Sequence, residues 1–177
     1  MGVKIRKATV KDVEQIMDIY NWAIETTTGT FDTENKTYEN RVAWFTQRDP
    51  QFCVYVAEYE KELTITGINP TNSKEVAGFA SLNKWSERAA YDITPEVSMY
   101  VQPEYQGQGI GQLLLAQVIA DAKASKKIVS ILARITQGNK PSILIHKKFG
   151  FKETGVLEKA GIKFDKYLDV IFMQLML

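Results

Sequence analysis

From Glu96 to Ser125 the chain reads EVSMYVQPEYQGQGIGQLLLAQVIADAKAS: a strand-like run, a loop with glycines at 107, 109 and 111, then an apolar stretch at helical spacing. This order constrains the fold more than any other feature, because glycine inside an element costs roughly 0.5–1 kcal/mol relative to alanine. Three alternate glycines at the start of a helix need a reason. One is a tight turn, where glycine is common. The other is chemical: a strand-to-helix junction offers free backbone N–H groups and the positive end of the helix dipole, and glycine lets a phosphate approach them. A dinucleotide fingerprint would need glycine where Gln112 stands, and the Gly-Lys-Ser/Thr ending of a P-loop is absent.

The flanking pattern is mixed. VKIRKA (3–8) alternates like a short strand. Thr9 and Asp12 have capping-box spacing for a helix from about Lys11 to Ile24, and a second helix from about Tyr38 to Arg48 is expected to bury Tyr38, Val42 and Phe45. FCVYVAEY (52–59), ELTIT (62–66) and EVAGFASLNKW (75–85) read as an antiparallel meander, with GINPTNSK (67–74) as a turn cluster. EVSMYVQ, KIVSILARI and YLDVIFMQLML are further strands. Leu115, Val118, Ile119 and Ala122 mark one helix face, and NKPSILIHKKFGF holds a short helix ending at Gly150. No linker or repeat divides the chain, so one domain over 1–177 is expected.

Composition narrows the chemistry. A formal net charge of +1 makes no demand for nucleic acid or an anionic membrane as partner. Cys53 is the only cysteine, expected buried in its strand, and His146 is the only histidine. An internal disulfide is excluded and no metal site is expected. No apolar stretch approaches the roughly 20 residues of a membrane span. No signal-peptide core is seen, so the default expectation is a cytoplasmic protein.

Gln106-Gly107-Gln108-Gly109-Ile110-Gly111 resembles the Q/R-x-x-G-x-G/A signature of the GNAT family of N-acetyltransferases, as do VSMYV ending in Val-x-Pro and the later N-x-P-S-x-x-x-H-x-x-x-G-F. YNWAIETTTGTFDTE, RAAYDITPEVSMYVQPEYQGQGIG and GIKFDKYLDVIFMQL are similar to its phosphinothricin and methionine sulfone or sulfoximine branch, over nearly the whole chain. The resemblance implies the acyl-CoA N-acyltransferase fold, α/β (α+β), with a mostly antiparallel sheet of about seven strands flanked by about four helices. It implies acetyl-CoA as co-substrate, held by Met99, Tyr100, Val101, Gln106, Gly107, Gln108, Gly109, Ile110, Gly111, Gln112 and Asn139. It also implies a small amino acid as acceptor, a homodimer, and Phe31, Arg88 and Tyr91 as substrate-binding residues; Arg134, a departure from the branch, is added as a further substrate-binding candidate.

Acyl transfer from a thioester to an amine needs a base for the ammonium, donors for the carbonyl oxygen and a proton for the departing thiolate. By resemblance Glu96 is the candidate base and His146 the candidate acid; read alone, each is more simply a structural or solvated side chain. Tyr100 and Tyr105 are rival proton donors. Ser86 stands where the phosphinothricin enzymes place a lysine, so one cation for an acidic acceptor is missing, and Arg134 lies where a small residue is common. Two other readings stay open: acetylation of a protein N-terminus or lysine, and a non-catalytic acyl-CoA-binding module.

Overall fold

The computed structural model describes residues 2–63 and 71–177. Strand β1 (Val3–Lys7) leads into helix α1 (Val13–Thr26), and α2 (Tyr38–Thr46) precedes the hairpin of β2 (Val54–Leu63) and β3 (Thr71–Asn83). Then come β4 (Glu96–Val101), α3 (Ile110–Ser125), β5 (Ser130–Thr136), α4 (Lys140–Lys148), β6 (Lys152–Lys163) and β7 (Lys166–Met176). The seven strands form one sheet in the order β1-β2-β3-β4-β5-β7-β6. Every pairing is antiparallel except β4 with β5, which share a single parallel pair, Glu96 with Leu132. No helix among the described residues is long and apolar enough to cross a membrane.

Period-two alternation sends Val97, Met99 and Val101 of β4 toward α3, and Tyr100 toward α1 and α2. Helix α3 buries Leu114, Leu115 and Val118 completely, each burial contributing about 1.5–3 kcal/mol. Ile16 and Ile19 of α1 pack with Val56, Val76 and Phe79 on the opposite face. The capping box before α1 forms as expected: the Asp12 carboxylate accepts the Thr9 N–H at 2.7 Å, and Arg6 grips its other side in a two-pronged bond.

Three local expectations are corrected. On α2 the inward residue is Arg41, 8% exposed, whereas Tyr38 is exposed and Val42 and Phe45 are half-buried. The helix turns this way because the Arg41 guanidinium fits between the rings of Tyr20 and Trp44. Thr71–Lys74, expected in a turn, already belongs to β3; the expected strand at 62–66 starts as the end of β2, and its remainder lies outside the described residues. Strand β6 has no counterpart in the sequence reading: it is an edge strand exposed along most of its length, so no burial alternation marks it. Cys53 is buried, as expected.

The β6–β7 hairpin reaches back to the loop between α1 and α2. Lys163, buried, donates from Nζ to the Thr30 carbonyl at 2.8 Å, and the Phe31 ring packs against Gly161. A Cβ at Gly161 would come within 2.7 Å of two Phe31 ring atoms. Gly161→Val should therefore lower stability by about 1–3 kcal/mol, the usual cost of overpacking. Thermal melting with Phe31→Ala as second site checks this: the double variant should recover part of the loss, and simple additivity would contradict the contact.

Candidate functional site

A cleft of about 1420 Å³ opens where β4 and β5 part. That volume exceeds the usual pocket for one small ligand and suits two. One end is the glycine loop. Gly109, the residue before α3, sits at φ +81° and Gly107 at φ +75°, the left-handed region glycine enters freely. A Cβ at either would meet nothing within 4 Å, so glycine is required here by backbone conformation and by whatever approaches from outside. Among the described residues, the amides of 107–111 donate to no protein acceptor. Gln106 and Gln108 brace the loop by donating from Nε2 to the carbonyls of Val101 and Glu104, both at 3.0 Å. Gln112, on the first turn of α3, accepts from Lys148, which brings a cation to the loop that sequence reading did not pick out.

Past Glu96 the edge of β4 that would face β5 has no strand partner. Gln102 bonds back to Ala77 of β3, so by alternation the Tyr100 backbone also faces β3. The backbone groups of Met99 and the Val101 N–H face the gap, the Val101 carbonyl being held by Gln106. Asn139 lines the same cleft while capping α4: its Oδ1 accepts the Ser142 N–H at 3.3 Å.

At the centre, Glu96 opens β4 with its side chain 12% exposed. Arg134, across on β5, grips both of its oxygens, Nε at 2.8 Å and Nη2 at 2.6 Å, and the pairing raises the guanidinium's own proton affinity against the effect of burial. Arg134 also lies 5.3 Å over the Trp85 ring. His146 forms part of the cleft wall at 4% exposure. Its Nδ1 is 2.8 Å from the Ser142 carbonyl, and a carbonyl can only accept, so Nδ1 carries the hydrogen and Nε2 has the free lone pair. Burial pushes the imidazole below its ordinary pKa, the Ser142 bond offsetting only part, so the resting ring is neutral and holds no proton on Nε2 for a thiolate.

The rival tyrosines separate. The Tyr105 hydroxyl donates to Glu75 at 3.0 Å, and its phenol is pushed up to about 12, chiefly by burial. Tyr100 packs against Tyr20 and Phe79 in the cleft with its phenol raised far above the ordinary range by burial, so it stays protonated.

At the acceptor end, Phe31 and Arg134 line the cleft, whereas Arg88 and Tyr91 are exposed and stand outside its lining. Three groups that sequence reading missed are brought in: the hydrogen-bonded side chains of Ser81, Asn83 and Ser98, the pair Tyr20–Asp32, and Arg41. Only Arg41 gave a signal, as a charged residue on a helix face otherwise read as apolar. An unpaired buried cation costs several kcal/mol, and stacking on two rings returns only about 0.5–2 kcal/mol each. Among the described residues no cluster of three or more His, Cys, Asp or Glu side chains is placed to hold a metal.

Residues 16–151 match the model of the Acetyltransferase (GNAT) family. The chain belongs to that family. Among its most similar relatives, an L-methionine sulfoximine/L-methionine sulfone acetyltransferase of Salmonella typhimurium is 34% identical over 98% of this chain and 94% of its own. A phosphinothricin N-acetyltransferase of Streptomyces coelicolor is 32% identical over 97% of this chain and 95% of its own. Among solved structures, yncA of Salmonella typhimurium, determined with its cofactor acetyl-CoA, superposes with a TM-score of 0.86 at 31% identity, covering 99% of this chain and 94% of that one. The open amides at 107–111 and the unpaired edge of β4 fit the diphosphate and the amide-bearing arm of that coenzyme.

The buried neutral His146 has a consequence for stability. The unfolded chain takes up a proton near the ordinary imidazole value of about 6.5 that the folded chain refuses until lower pH. Stability from this group is therefore complete above that value and declines as pH falls through it toward the depressed folded value. Melting curves from pH 8 to pH 5 should show a steeper acid-side fall for the native sequence than for His146→Phe; parallel curves would contradict the assignment.

Proposed function

We propose that this acetyltransferase moves the acetyl group of acetyl-CoA onto the α-amino group of a small amino acid of the methionine sulfone, methionine sulfoximine or phosphinothricin type, by direct attack with both substrates bound. The observation that carries the reading is the joining, in one cleft, of bare amides at the start of α3 with Glu96 and His146 beside the gap between β4 and β5. Acetyl-CoA supplies the activated acyl group. The chain's part is to hold the coenzyme along β4 and the glycine loop, to take a proton from the ammonium at Glu96, and to move a second proton at His146 Nε2. A neutral imidazole in the cleft wall suits acceptance first and return to the departing sulfur afterwards. Tyr100, kept protonated by burial, is the alternative donor.

The acceptor end favours a small substrate over an extended peptide. The loop carrying Thr30 and Phe31 is tied to the β6–β7 hairpin through Lys163 and Gly161, and Tyr20, Asn21 and Thr136 bond it from beneath. An open groove would need these ties undone. Arg88 and Tyr91, though exposed in the single chain, remain proposed contributors to acceptor recognition. Val156, Leu157, Ile162 and Tyr167 are exposed apolar side chains on the outer hairpin, which supports a homodimer through that edge. Sedimentation equilibrium at micromolar concentration should give twice the 20.1 kDa of one chain; a monomer would exclude the dimer.

The deciding assay follows release of free thiol from acetyl-CoA with a panel of amino acids and of peptides. Turnover is expected with the small amino acids; turnover on peptides alone would overturn the acceptor, and none at all with coenzyme bound would leave a binding module. Glu96→Gln should lower kcat by about 10²–10⁴-fold with little change in coenzyme affinity. Gly109→Val, which strains a left-handed backbone and covers the amides, should instead weaken coenzyme binding at least about tenfold. If the two variants exchange these signatures, the assignment of the two ends is wrong.

A further inference from the structure

Four arginines serve different ends, and three are fully employed. Arg6 bonds Asp12 and Glu58. Arg48 donates to the carbonyls of Phe52 and Leu82 and to Asn83. Arg134 is committed to Glu96. Arg41 is the exception. At 8% exposure its side chain makes only two long contacts, Nε and Nη2 each 3.4 Å from the Asn40 Oδ1, with no carboxylate partner among the described residues. Burial lowers its proton affinity, and Tyr20, Asp32 and Tyr100 offset only part of that.

The group is nonetheless held in place. Its guanidinium carbon lies 4.7 Å from the Tyr20 ring centroid and 5.0 Å from that of Trp44, and the residue lines the acceptor end of the cleft beside Tyr100. Tyr20 is itself fixed, donating to Asp32 at 2.8 Å and lying 2.9 Å from the Thr30 hydroxyl. Asp32, the nearest candidate counter-charge, is already engaged by Tyr20 and by Lys36 at 3.0 Å. A preset fork of N–H donors, desolvated, stacked and without an anion, is what a protein builds to receive one. The cleft offers no other uncommitted guanidinium, since Arg88 stands outside it.

We propose that Arg41 selects the acceptor, receiving an anionic group at the end of the amino acid remote from the reacting amine, so that an acid-bearing acceptor such as one with a phosphinate is preferred over a neutral one of similar shape. Arg41 then supplies a cation that Ser86 does not. The inference rests on the acetyltransferase reading of the cleft and adds the charge of its substrate.

Phosphinothricin and methionine sulfone form the test pair, since both carry a tetrahedral group at the far end and only the first is anionic there. The native enzyme should show the higher kcat/KM with phosphinothricin. Arg41→Gln should cut that value about 30-fold or more, in the range for leaving one partner of a charge pair unmatched, while changing the value for methionine sulfone by less than about threefold and leaving coenzyme affinity unaltered. Arg41→Lys should retain part of the preference. Equal losses on both acceptors would make Arg41 a purely structural member of the ring stack and overturn the inference while the acetyltransferase reading stands. A native preference for the sulfone would overturn it without any variant, so a folding failure of Arg41→Gln cannot rescue it. Acetylation of neither acceptor would bring down both readings.

Discussion

The parallel contact between β4 and β5 is one residue pair long, and the working parts of the molecule follow from that brevity. A sheet normally satisfies its backbone groups strand to strand. Here two neighbours touch at Glu96 and Leu132 and then diverge, held apart by what packs on either face: α3 and α4 with Val97, Met99 and Ile135 on one side, α1 and α2 with Phe79 and Tyr100 on the other. The gap leaves one edge of β4 without a strand, which lets an extended ligand take the place of a neighbour. It also sets Glu96 at the apex of the split, where a carboxylate can reach a group lying in the gap.

Charge is distributed along this cleft in an order that suits its proposed use. The glycine loop offers backbone dipoles rather than side chains, with Lys148 nearby through Gln112. The centre holds the paired Glu96 and Arg134, so the proposed base sits in a fixed orientation and its charge is balanced before any acceptor arrives. The far end holds Arg41 between two rings. His146 stands apart from this series because burial keeps it neutral, which makes it suited to passing a proton rather than to binding an anion.

Much of this was legible in the residues. The strand–glycine–helix order located the loop at 106–112, the apolar spacing located α3, and Glu96 and His146 were both found in the cleft wall. What escaped has a common physical cause. Strand β6 pairs through its backbone and exposes most of its side chains, so it carries no burial pattern to read. Arg41 on α2 breaks the rule that charged side chains point outward, because two aromatic rings from separate helices meet it. The network of Ser81, Asn83 and Ser98 joins β3 to β4, and hydrogen bonds between strands leave no mark in either strand's own sequence.

The sequence alone determined the element types around the glycine loop, the exclusion of an internal disulfide and the short list of proton-transfer groups, because these depend on local spacing and residue inventory. Only the tertiary structure decided which groups share one cleft, that His146 carries its hydrogen on Nδ1, that Glu96 is held by Arg134, and that Arg41 is buried without a counter-ion. Those outcomes depend on distances between residues far apart in the chain. Such distances are fixed by packing across the sheet, and local propensity carries no record of them.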